Sequence, residues 1–294
     1  KMKKTIKIVE LNVNQRGRLS RYLNEKLLDY VDFRTDVLIL LEYNSLSVNA
    51  KAFEAKLADK GFVVYKSNNG TIRSGNDILI AIRVESDINV KCVKNYVFYS
   101  DNKSTSLDDI PENLFLEVEI NKCKYLLVAV RIKELSGQLI IRRKEMERLL
   151  SWLLEYSDIP FIICGDFNNL RTDTIEKEWN LEVLDKLLQM NDLLRCTPKK
   201  HNSWGVSKKA NSDEFDGYIA EDHLIISKGK NIGIKPKEKD STEEECLEYS
   251  WDYLKNNIKE CEVDPVNKYG EQKINVPIGF PDHAMLLAEI EIDD

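Results

Sequence analysis

The sequence predicts an α/β sandwich, in which sheets pack face to face and helices cover their outer sides. Short apolar runs bounded by polar turns recur along the whole chain, as expected for buried strands. Some of these runs alternate with amphipathic helical stretches, and others follow one another directly, as strand-turn-strand units do. With 294 residues, 43% of them hydrophobic, the chain is able to bury a large core.

The individual elements follow from the spacing of the apolar residues. The segments with strand-like patterns are residues 5–13, 37–42, 78–83, 114–120, 125–132, 161–164, 223–227 and 285–292. Between them, apolar residues recur at intervals of three and four, which places them on one face of a helix. The helical stripes are Leu19, Leu23, Leu27 and Val31; Met146, Leu149, Leu150, Leu153 and Leu154; and Leu247, Trp251, Leu254 and Ile258.

Nothing in the sequence divides the chain into separate domains, because it has no obvious linker, short-period repeat or low-complexity tract. We therefore expect residues 1–294 to form one domain. Residues 229–272 are rich in Lys and Glu and contain the third helical stripe. We interpret this segment as a charged helical insertion.

The composition argues against a membrane protein and a secreted protein. No apolar run reaches the length that spans a bilayer, and the amino terminus lacks the apolar core and cleavage site of a signal peptide. The six cysteines include no C-x-x-C pair, so neither a zinc ribbon nor thioredoxin-like chemistry is indicated. We expect a cytoplasmic protein with reduced thiols, and the sequence leaves its oligomeric state open.

The overall charge is unfavourable for binding nucleic acid. The formal net charge is −7 and the pI is about 5.3, so the field of the whole molecule repels phosphate groups. A cation held in a carboxylate site would reverse the charge locally. A basic cluster such as residues 142–144 could also hold phosphates, although most such clusters are solvated faces.

Acidic and amide residues lie where the predicted strands end. Strand ends meet along one edge of a sheet, so these groups are able to converge on a rigid scaffold. Oxygen ligands without a cysteine or histidine pair favour Mg²⁺ or Mn²⁺ over zinc. Each residue alone is more often a helix cap or a turn residue, but the ordered series as a whole favours a site. The series is Asn12, Asn14, Glu42, Asp166, Asn168, Asp222, Asp282 and His283.

These residues lie in motifs that resemble those of the endonuclease/exonuclease/phosphatase superfamily. Residues 11–14 (LNVN) are similar to its first-strand asparagine motif, and residues 40–44 (LLEYN) to its metal-binding glutamate motif. Residues 165–169 (GDFNN) resemble the G-D-F-N signature. Residues 221–227 (EDHLIIS) resemble the strand with the aspartate partner of a histidine, and residues 281–286 (PDHAML) resemble the terminal S-D-H motif.

The resemblance extends over residues 6–292, almost the whole chain. It implies a four-layered α/β sandwich, with two packed mixed sheets inside and helices outside. It also implies hydrolysis of phosphoester bonds that depends on Mg²⁺ or Mn²⁺. Residues 74–83 resemble the family's G-N-G strand, and this similarity places Asn76 among the substrate-binding residues.

The resemblance and the chemistry of the side chains together assign roles to the first part of the series. Glu42 is expected to bind the divalent cation, while Asn12 and Asn14 help to hold the environment of the metal. Asp166 is expected to orient and deprotonate the attacking water. Asn168 would donate a hydrogen bond to the phosphoryl oxygen as charge develops on it.

The later residues are expected to hold the substrate. His283 would contact the scissile phosphate, with Asp222 fixing its ring and favouring its protonated form. Asp282 is expected to contact the metal or to orient a group that does. Trp204 is a candidate for stacking on a base, although a tryptophan more often packs in a core or a loop.

The chain departs from the family pattern at two positions. The family places a histidine or a tyrosine on the strand before the helix, where this chain has Arg131. An arginine is able to clamp a phosphate but cannot transfer a proton at neutral pH, and a structural ion pair is an equally weighted interpretation. At the terminal motif, Pro281 replaces the usual serine, which concerns only a supporting hydrogen bond.

Three functions from different classes remain open at this point. The first, which we favour because the sequence has no clear inositol-binding motif or lipid-inserting aromatic hairpin, is a nuclease with nucleic acid as its substrate. The second is a phosphatase or phosphodiesterase of inositol phosphates, lipids or nucleotides. The acidic charge suits the second better. The third is a catalytically silent binding protein, which the nearly complete motif series disfavours.

Overall fold

The computed structural model describes residues 3–14, 23–31, 34–45, 48–67, 76–96, 111–133, 139–169, 178–198, 203–204, 220–237, 246–255 and 281–293. The strands are β1 (Lys3–Asn12), β2 (Val37–Tyr43), β3 (Phe62–Lys66), β4 (Asp77–Arg83), β5 (Asn89–Lys94), β6 (Glu112–Ile120), β7 (Cys123–Arg131), β8 (Phe161–Asp166), β9 (Leu193–Cys196), β10 (Asp222–Ser227), β11 (Ile232–Ile234), β12 (Leu247–Ser250) and β13 (Met285–Asp293). The helices are α1 (Val48–Asp59), α2 (Leu139–Leu153), α3 (Leu181–Gln189) and the single turn α4 (Asp252–Lys255), with 3-10 turns at Glu25–Asp29, Val84–Ser86 and Leu154–Tyr156.

The strands form two mixed sheets, which confirms the predicted α/β sandwich. The first sheet has seven strands, in the order β11-β13-β1-β2-β4-β3, with β12 also paired to β13. The second sheet has six strands, in the order β5-β6-β7-β8-β10-β9. Each sheet contains one parallel pair at its centre, β1 with β2 and β7 with β8, and the other pairs are antiparallel.

The main core lies between the sheets, and a second core lies outside the second sheet. Leu127 and Ile162 face the first sheet, whereas their neighbours Leu126 and Ile163 pack with the apolar faces of α2 and α3. This alternation is the two-residue period of a strand. All seven residues of β2 are buried, so both faces of that strand are covered.

The structure agrees with each predicted strand, with ends that differ by one or two residues. The second helical stripe is confirmed as α2, while the first is wrong in type, since the described Leu27 lies in a 3-10 turn. That turn begins where the Asn24 side chain accepts a hydrogen bond from the Lys26 backbone. Leu19 lies outside the described residues.

The third helical stripe is wrong at its beginning. Leu247 and Tyr249 are buried while Glu248 between them is exposed, and this alternation belongs to strand β12. The backbone hydrogen bonds of this segment are made with β13, and this pairing outweighs the helical spacing of its apolar residues. The described parts of the expected helical insertion at 229–272 therefore include two strands of the first sheet, β11 and β12. The expectation of one domain over residues 1–294 stays a prediction.

Gly165 is required by a close approach between β7 and β8. A Cβ atom at this position would lie 1.8 Å from the carbonyl oxygen of Val130. This clash is relieved only if the backbones of β7 and β8 move apart. We predict that Gly165→Ala lowers the free energy of unfolding by about 3 kcal/mol, as measured by denaturant unfolding. Gly233→Ala is the matched control, because no atom lies within 4 Å of its Cβ position. An equal effect of the two changes would contradict the close packing of β7 on β8.

None of the helices in the described ranges has the length and hydropathy needed to cross a membrane. The described cysteines Cys92, Cys123, Cys164, Cys196 and Cys246 are free thiols, and Cys261 lies outside the described residues. The cytoplasmic location stays a prediction.

Candidate active site

The two parallel strand pairs bring the predicted site residues to one end of the sandwich. In the first sheet, β1 and β2 run parallel and end near Asn12 and Glu42. In the second sheet, β7 and β8 run parallel, with Arg131 opposite Asp166 in register. Strand β10 runs in the other direction and begins at this edge, where Asp222 lies opposite Asp166. The site is therefore built from strand ends of both sheets.

Asp166 is the centre of the site, because donors from both sheets meet on its carboxylate. The Asn12 side chain donates from Nδ2 to Asp166 Oδ2 at 2.9 Å and to Glu42 Oε1 at 3.3 Å. Asn168 donates its backbone N–H to Asp166 Oδ1 at 2.8 Å and its Nδ2 to Oδ2 at 3.0 Å. The same Nδ2 donates to the carbonyl oxygen of Ile132 at 2.7 Å. These bonds hold the carboxylate in one orientation.

Three site residues adopt left-handed backbone conformations, which are uncommon for residues other than glycine. Their φ angles are 47° at Asn14, 50° at Glu42 and 44° at Asn168. Glu42 lies in an irregularity of the pairing between β2 and β4, where the register shifts between Leu40 and Tyr43. Bulges of this kind redirect a side chain, and strained backbone of this kind concentrates at functional sites. The shift explains how an otherwise regular buried strand presents a carboxylate to the site.

Asp222 and His283 form a buried pair beside this centre. His283 Nδ1 lies 3.0 Å from Asp222 Oδ2. Burial lowers the pKa of the imidazole, but the neighbouring Asp222 carboxylate outweighs it and holds the pKa well above its usual value. Tyr249 donates to the carbonyl oxygen of Asp222, and Tyr253 donates to those of Pro281, at 3.0 Å, and His283. The pair is therefore charged, and the tyrosines, which the sequence analysis missed, fix its backbone.

Arg131 lies between three carboxylates. Its Nη2 is 2.5 Å from Glu42 Oε1, its Nη1 is 3.3 Å from Glu112 Oε2, and its Nε is 3.9 Å from Asp166 Oδ2. Only 8% of the side chain is exposed. Burial raises the pKa of Glu112 to about 7, although the guanidinium opposes this rise. The structure thus contains the ion pairs that the structural interpretation of Arg131 expects. One of the partners is Glu112, which was not identified from the sequence.

The acidity of Asp166 is suited to proton transfer near neutral pH. Burial, followed by the nearby Asp222 carboxylate, raises the pKa of Asp166 to about 7, while the positive charges of His283 and Arg131 oppose the rise. A general base works best when its pKa is close to the working pH. Asp166 is therefore able to accept a proton from water at neutral pH.

Glu10 is a fully buried carboxyl group beneath the site. It lies on β1, two residues before Asn12 and on the same face of the strand. Its two carboxyl oxygens have no hydrogen-bond partner among the described residues. Burial, together with the Asp222 charge, raises the pKa of Glu10 well above its usual value. The fold therefore favours the neutral form of this side chain.

This shift predicts how stability depends on pH. The pKa of Glu10 is higher in the folded than in the unfolded chain, so the unfolded state loses its proton first as the pH rises, and stability falls above about pH 4.5. We predict that Glu10→Gln removes this loss of stability. The difference in the free energy of unfolding between the variant and the wild type should then grow by up to about 1.4 kcal/mol per pH unit. Urea unfolding of the metal-free protein between pH 5 and pH 8 measures the difference. A constant difference, like that expected for the exposed Glu85→Gln, would contradict a neutral buried Glu10.

Arg142 supports the loop that carries Asn168. Its Nη1 donates to the backbone carbonyl oxygen of Asn168 at 2.7 Å, and the side chain is buried. The interpretation of residues 142–144 as a phosphate-binding cluster is therefore wrong for Arg142. A helix residue that faces the core is hidden from phosphate, and its charge is used to hold the left-handed Asn168 in place.

The remaining predicted residues lie around the same end of the sandwich. Asn14 donates from Nδ2 to Asp282 Oδ1 at 2.7 Å, which joins the first and last motifs. Trp204 pairs through its backbone with His283, so it is adjacent to the site. Asn76 immediately precedes β4, and its buried Oδ1 has no hydrogen-bond partner among the residues that the structure describes.

The donor set fits a hard divalent cation. Carboxylates outnumber the positive side chains around Asp166, and Glu42 and Asp166 both approach the Asn12 amide, so their oxygens converge. Asp166, Asp222 and His283 also bring one potential ligand atom each within 4.8 Å of one another. His283 Nδ1 and Asp222 already bond to each other, so we favour the oxygens of Glu42 and Asp166 as metal ligands. Arg131 competes for one of these oxygens.

The chain has the fold of the endonuclease/exonuclease/phosphatase family, as its motifs predicted. A protein of this family from Bacteroides thetaiotaomicron has a TM-score of 0.63 at 13% identity, with 100% of both chains covered. TDP2 from D. rerio, complexed with a single-strand DNA product, has a TM-score of 0.58 at 14% identity, covering 97% of this chain and 98% of that one. ANGEL2, a 2',3'-cyclic phosphatase complexed with adenosine-2',3'-vanadate, has a TM-score of 0.59 at 13% identity, covering 99% and 96%. No family model and no curated protein matches the sequence.

Proposed function

We propose that the protein is a Mg²⁺- or Mn²⁺-dependent phosphoester hydrolase that cleaves phosphodiester bonds of nucleic acid. The observation that carries the proposal is the meeting of Asp166, fixed by amide donors, with the charged pair Asp222–His283. Asp166 as a base and His283 as a positively charged donor suit the attack of water on phosphorus. The reaction needs both the removal of a proton and the stabilisation of negative charge.

The residues divide the work of the reaction. Glu42, Asp166 and Asn12 would hold the divalent cation, with Asp282 and Asn14 beside them. When bound, such a cation polarises a phosphoryl oxygen and stabilises the leaving oxygen. Asp166 would accept the proton of the attacking water, because three hydrogen bonds from amide N–H groups fix its carboxylate and, before a cation binds, its pKa lies near 7.

The phosphate is held from the other side. His283 is positively charged and bonds through Nδ1 to Asp222, so its Nε2–H is the group that donates to a phosphoryl oxygen. Both N–H groups of Asn168 Nδ2 already donate, to Asp166 and to Ile132, so Asn168 would orient the base and would reach a phosphoryl oxygen only by releasing one of these bonds. Arg131 would clamp the phosphate, but a guanidinium does not release a proton at neutral pH. The leaving oxygen therefore takes its proton from water.

Nucleic acid is the proposed substrate because of the chemistry of the site and the substrates of proteins with this fold. TDP2 holds a single-strand DNA product, and ANGEL2 acts on a cyclic phosphate of a nucleoside. Trp204 lies beside His283 and offers a surface for a base. A small phosphoester is the second candidate, which the net charge of −7 favours because it weakens the attraction to a long polyanion.

A panel of substrates tests the proposal and separates the two candidates. We would measure product release from single-stranded DNA, duplex DNA, RNA and inositol phosphates, with Mg²⁺, with Mn²⁺ and with chelator. Metal-dependent cleavage of a nucleic acid supports the proposal, and activity confined to small phosphates would replace it with the second candidate. The activity should be lost in Asp166→Asn and kept in the control variant Asp185→Asn. Asp185 lies on α3 and pairs with Arg195 rather than with any residue of the site.

A further inference from the structure

Arg131 forms a short ion pair with Glu42, the carboxylate that is proposed to bind the metal. Arg131 Nη2 lies 2.5 Å from Oε1 of Glu42, the same oxygen that Asn12 approaches at 3.3 Å. The Arg131 and Glu42 side chains are 8% and 11% exposed, so solvent screens the pair weakly. A guanidinium at neutral pH is always charged. Glu42 therefore meets a permanent cation before any metal arrives.

A divalent cation on Glu42 and the guanidinium in its present position are in conflict. Two positive centres that share one carboxylate oxygen repel each other strongly in a weakly screened site. The oxygen also has few lone pairs to offer once Arg131 and Asn12 are bonded to it. Binding of a metal to Oε1 of Glu42 therefore requires Arg131 to move away from that oxygen.

Glu112 provides the place to which Arg131 can move. Its Oε2 lies 3.3 Å from Arg131 Nη1, whereas Glu42 contacts the other terminal nitrogen, Nη2. The position is fixed, since β6 and β7 form a hairpin in which Glu112 pairs directly with Arg131. A carboxylate that accepts two parallel N–H bonds from a guanidinium is a strong acceptor. Glu112 is thus an alternative acceptor for the charge, at the edge of the site.

We propose that Arg131 exchanges between Glu42 and Glu112, so that Arg131 opposes metal binding and Glu112, a positioning residue, promotes it by drawing the guanidinium away. The inference rests on the proposed function, because it takes Glu42 as the metal-binding carboxylate.

The exchange predicts effects of opposite sign on metal affinity. Arg131→Gln removes the competing cation, so Mn²⁺ alone is expected to bind at least about tenfold more tightly. Glu112→Gln removes the alternative acceptor and leaves Arg131 on Glu42, so Mn²⁺ is expected to bind about tenfold more weakly. The loss of a negative charge alone would also weaken binding. The two effects are separated by measuring Glu112→Gln in the Arg131→Gln background, where the weakening should shrink to less than about threefold.

The experiment is calorimetric titration of the full chain with Mn²⁺, without substrate, for the wild type, both single variants and the double variant. Glu119→Gln is the matched control, because Glu119 is on the same strand but pairs with Lys91. If Arg131→Gln unfolds, Arg131→Met supplies the neutral background, because its side chain has a similar length and no charge. Equal weakening by Glu112→Gln in both backgrounds, or unchanged affinity in all variants, overturns the exchange and leaves the hydrolase proposal intact. Absence of Mn²⁺ binding in every protein overturns both.

Discussion

Asp166→Asn is expected to lower kcat by about 1,000-fold, because the amide cannot take a proton from water. The reduction should appear with every substrate that the wild type hydrolyses. The variant should still fold, although it is expected to be less stable, because the NH2 of the new amide replaces one of two oxygens that accept hydrogen bonds from Asn12 and Asn168. Single-turnover rates at saturating metal measure the effect on the chemical step.

The control for this prediction is Asp185→Asn, which makes the same chemical change on the outer helix α3 and should leave kcat unchanged. Unfolding curves of both variants separate catalysis from stability. A variant at Asp166 that keeps most of the wild-type rate would exclude this carboxylate as the base. A loss confined to KM would assign it to substrate binding instead.

Asp222→Asn is expected to lower kcat by about 100-fold, because the carboxylate is what keeps His283 charged. Without it, burial opposes the charged imidazole and only the Asp166 and Asp282 carboxylates still favour it, so the pKa of His283 falls and more of the ring is neutral at pH 7. A neutral ring can donate only one hydrogen and stabilises developing charge poorly. Both rates should fall at low pH as Asp166 takes up a proton, but the ratio of the variant's rate to the wild-type rate should rise as the pH is lowered.

His283→Gln and the double variant complete this test. If Asp222 acts through His283, the two changes together should reduce kcat no more than the larger single effect. Additive losses would contradict the pairing and assign separate roles to the two residues. The 3.0 Å contact between Nδ1 and Oδ2 is the geometric basis of the expected non-additivity.

The central strands and their functional ends were predictable from sequence, because burial on both faces gives continuous apolar runs and each run stops at a polar residue. β2 and β8 show this clearly, with Glu42 and Asp166 at their ends. Edge strands carry no such signal. In β5, residues alternate between exposed and half-buried positions, so its sequence NVKCVK does not differ from that of a loop.

Glu112 was missed although the sequence contains a signal for it. The hairpin between β6 and β7 turns at Asn121 and Lys122, which both have positive φ, at 51° and 66°. A two-residue turn of this type fixes the register of the strands that it joins. Counting back from the pair Ile120 and Cys123 places Glu112 opposite Arg131. Recognition of Asn-Lys as a turn would therefore have found the partner of the unusual arginine.

Other parts of the site depend on tertiary contacts that no local pattern encodes. Glu10 precedes Asn12 by two residues, and strand periodicity places it in the interior, but only the structure shows that its oxygens lack partners. Tyr249 reaches Asp222 only because β12 joins the first sheet, and the helical spacing of that segment concealed the strand. Such residues are specified by the packing of distant segments.

We propose that the cluster of Glu42, Asp166, Asp222 and His283 directs a metal-assisted attack of water on phosphorus. The most direct measurement is hydrolysis of a phosphodiester in ¹⁸O-labelled water under single-turnover conditions, with Mg²⁺ or with chelator, followed by mass spectrometry of the phosphate product. The account predicts one labelled oxygen in the product, formed only with metal, and about 1,000-fold more slowly in Asp166→Asn. Unlabelled product in the first turnover, or labelled product formed equally well by Asp166→Asn or with chelator, would contradict it.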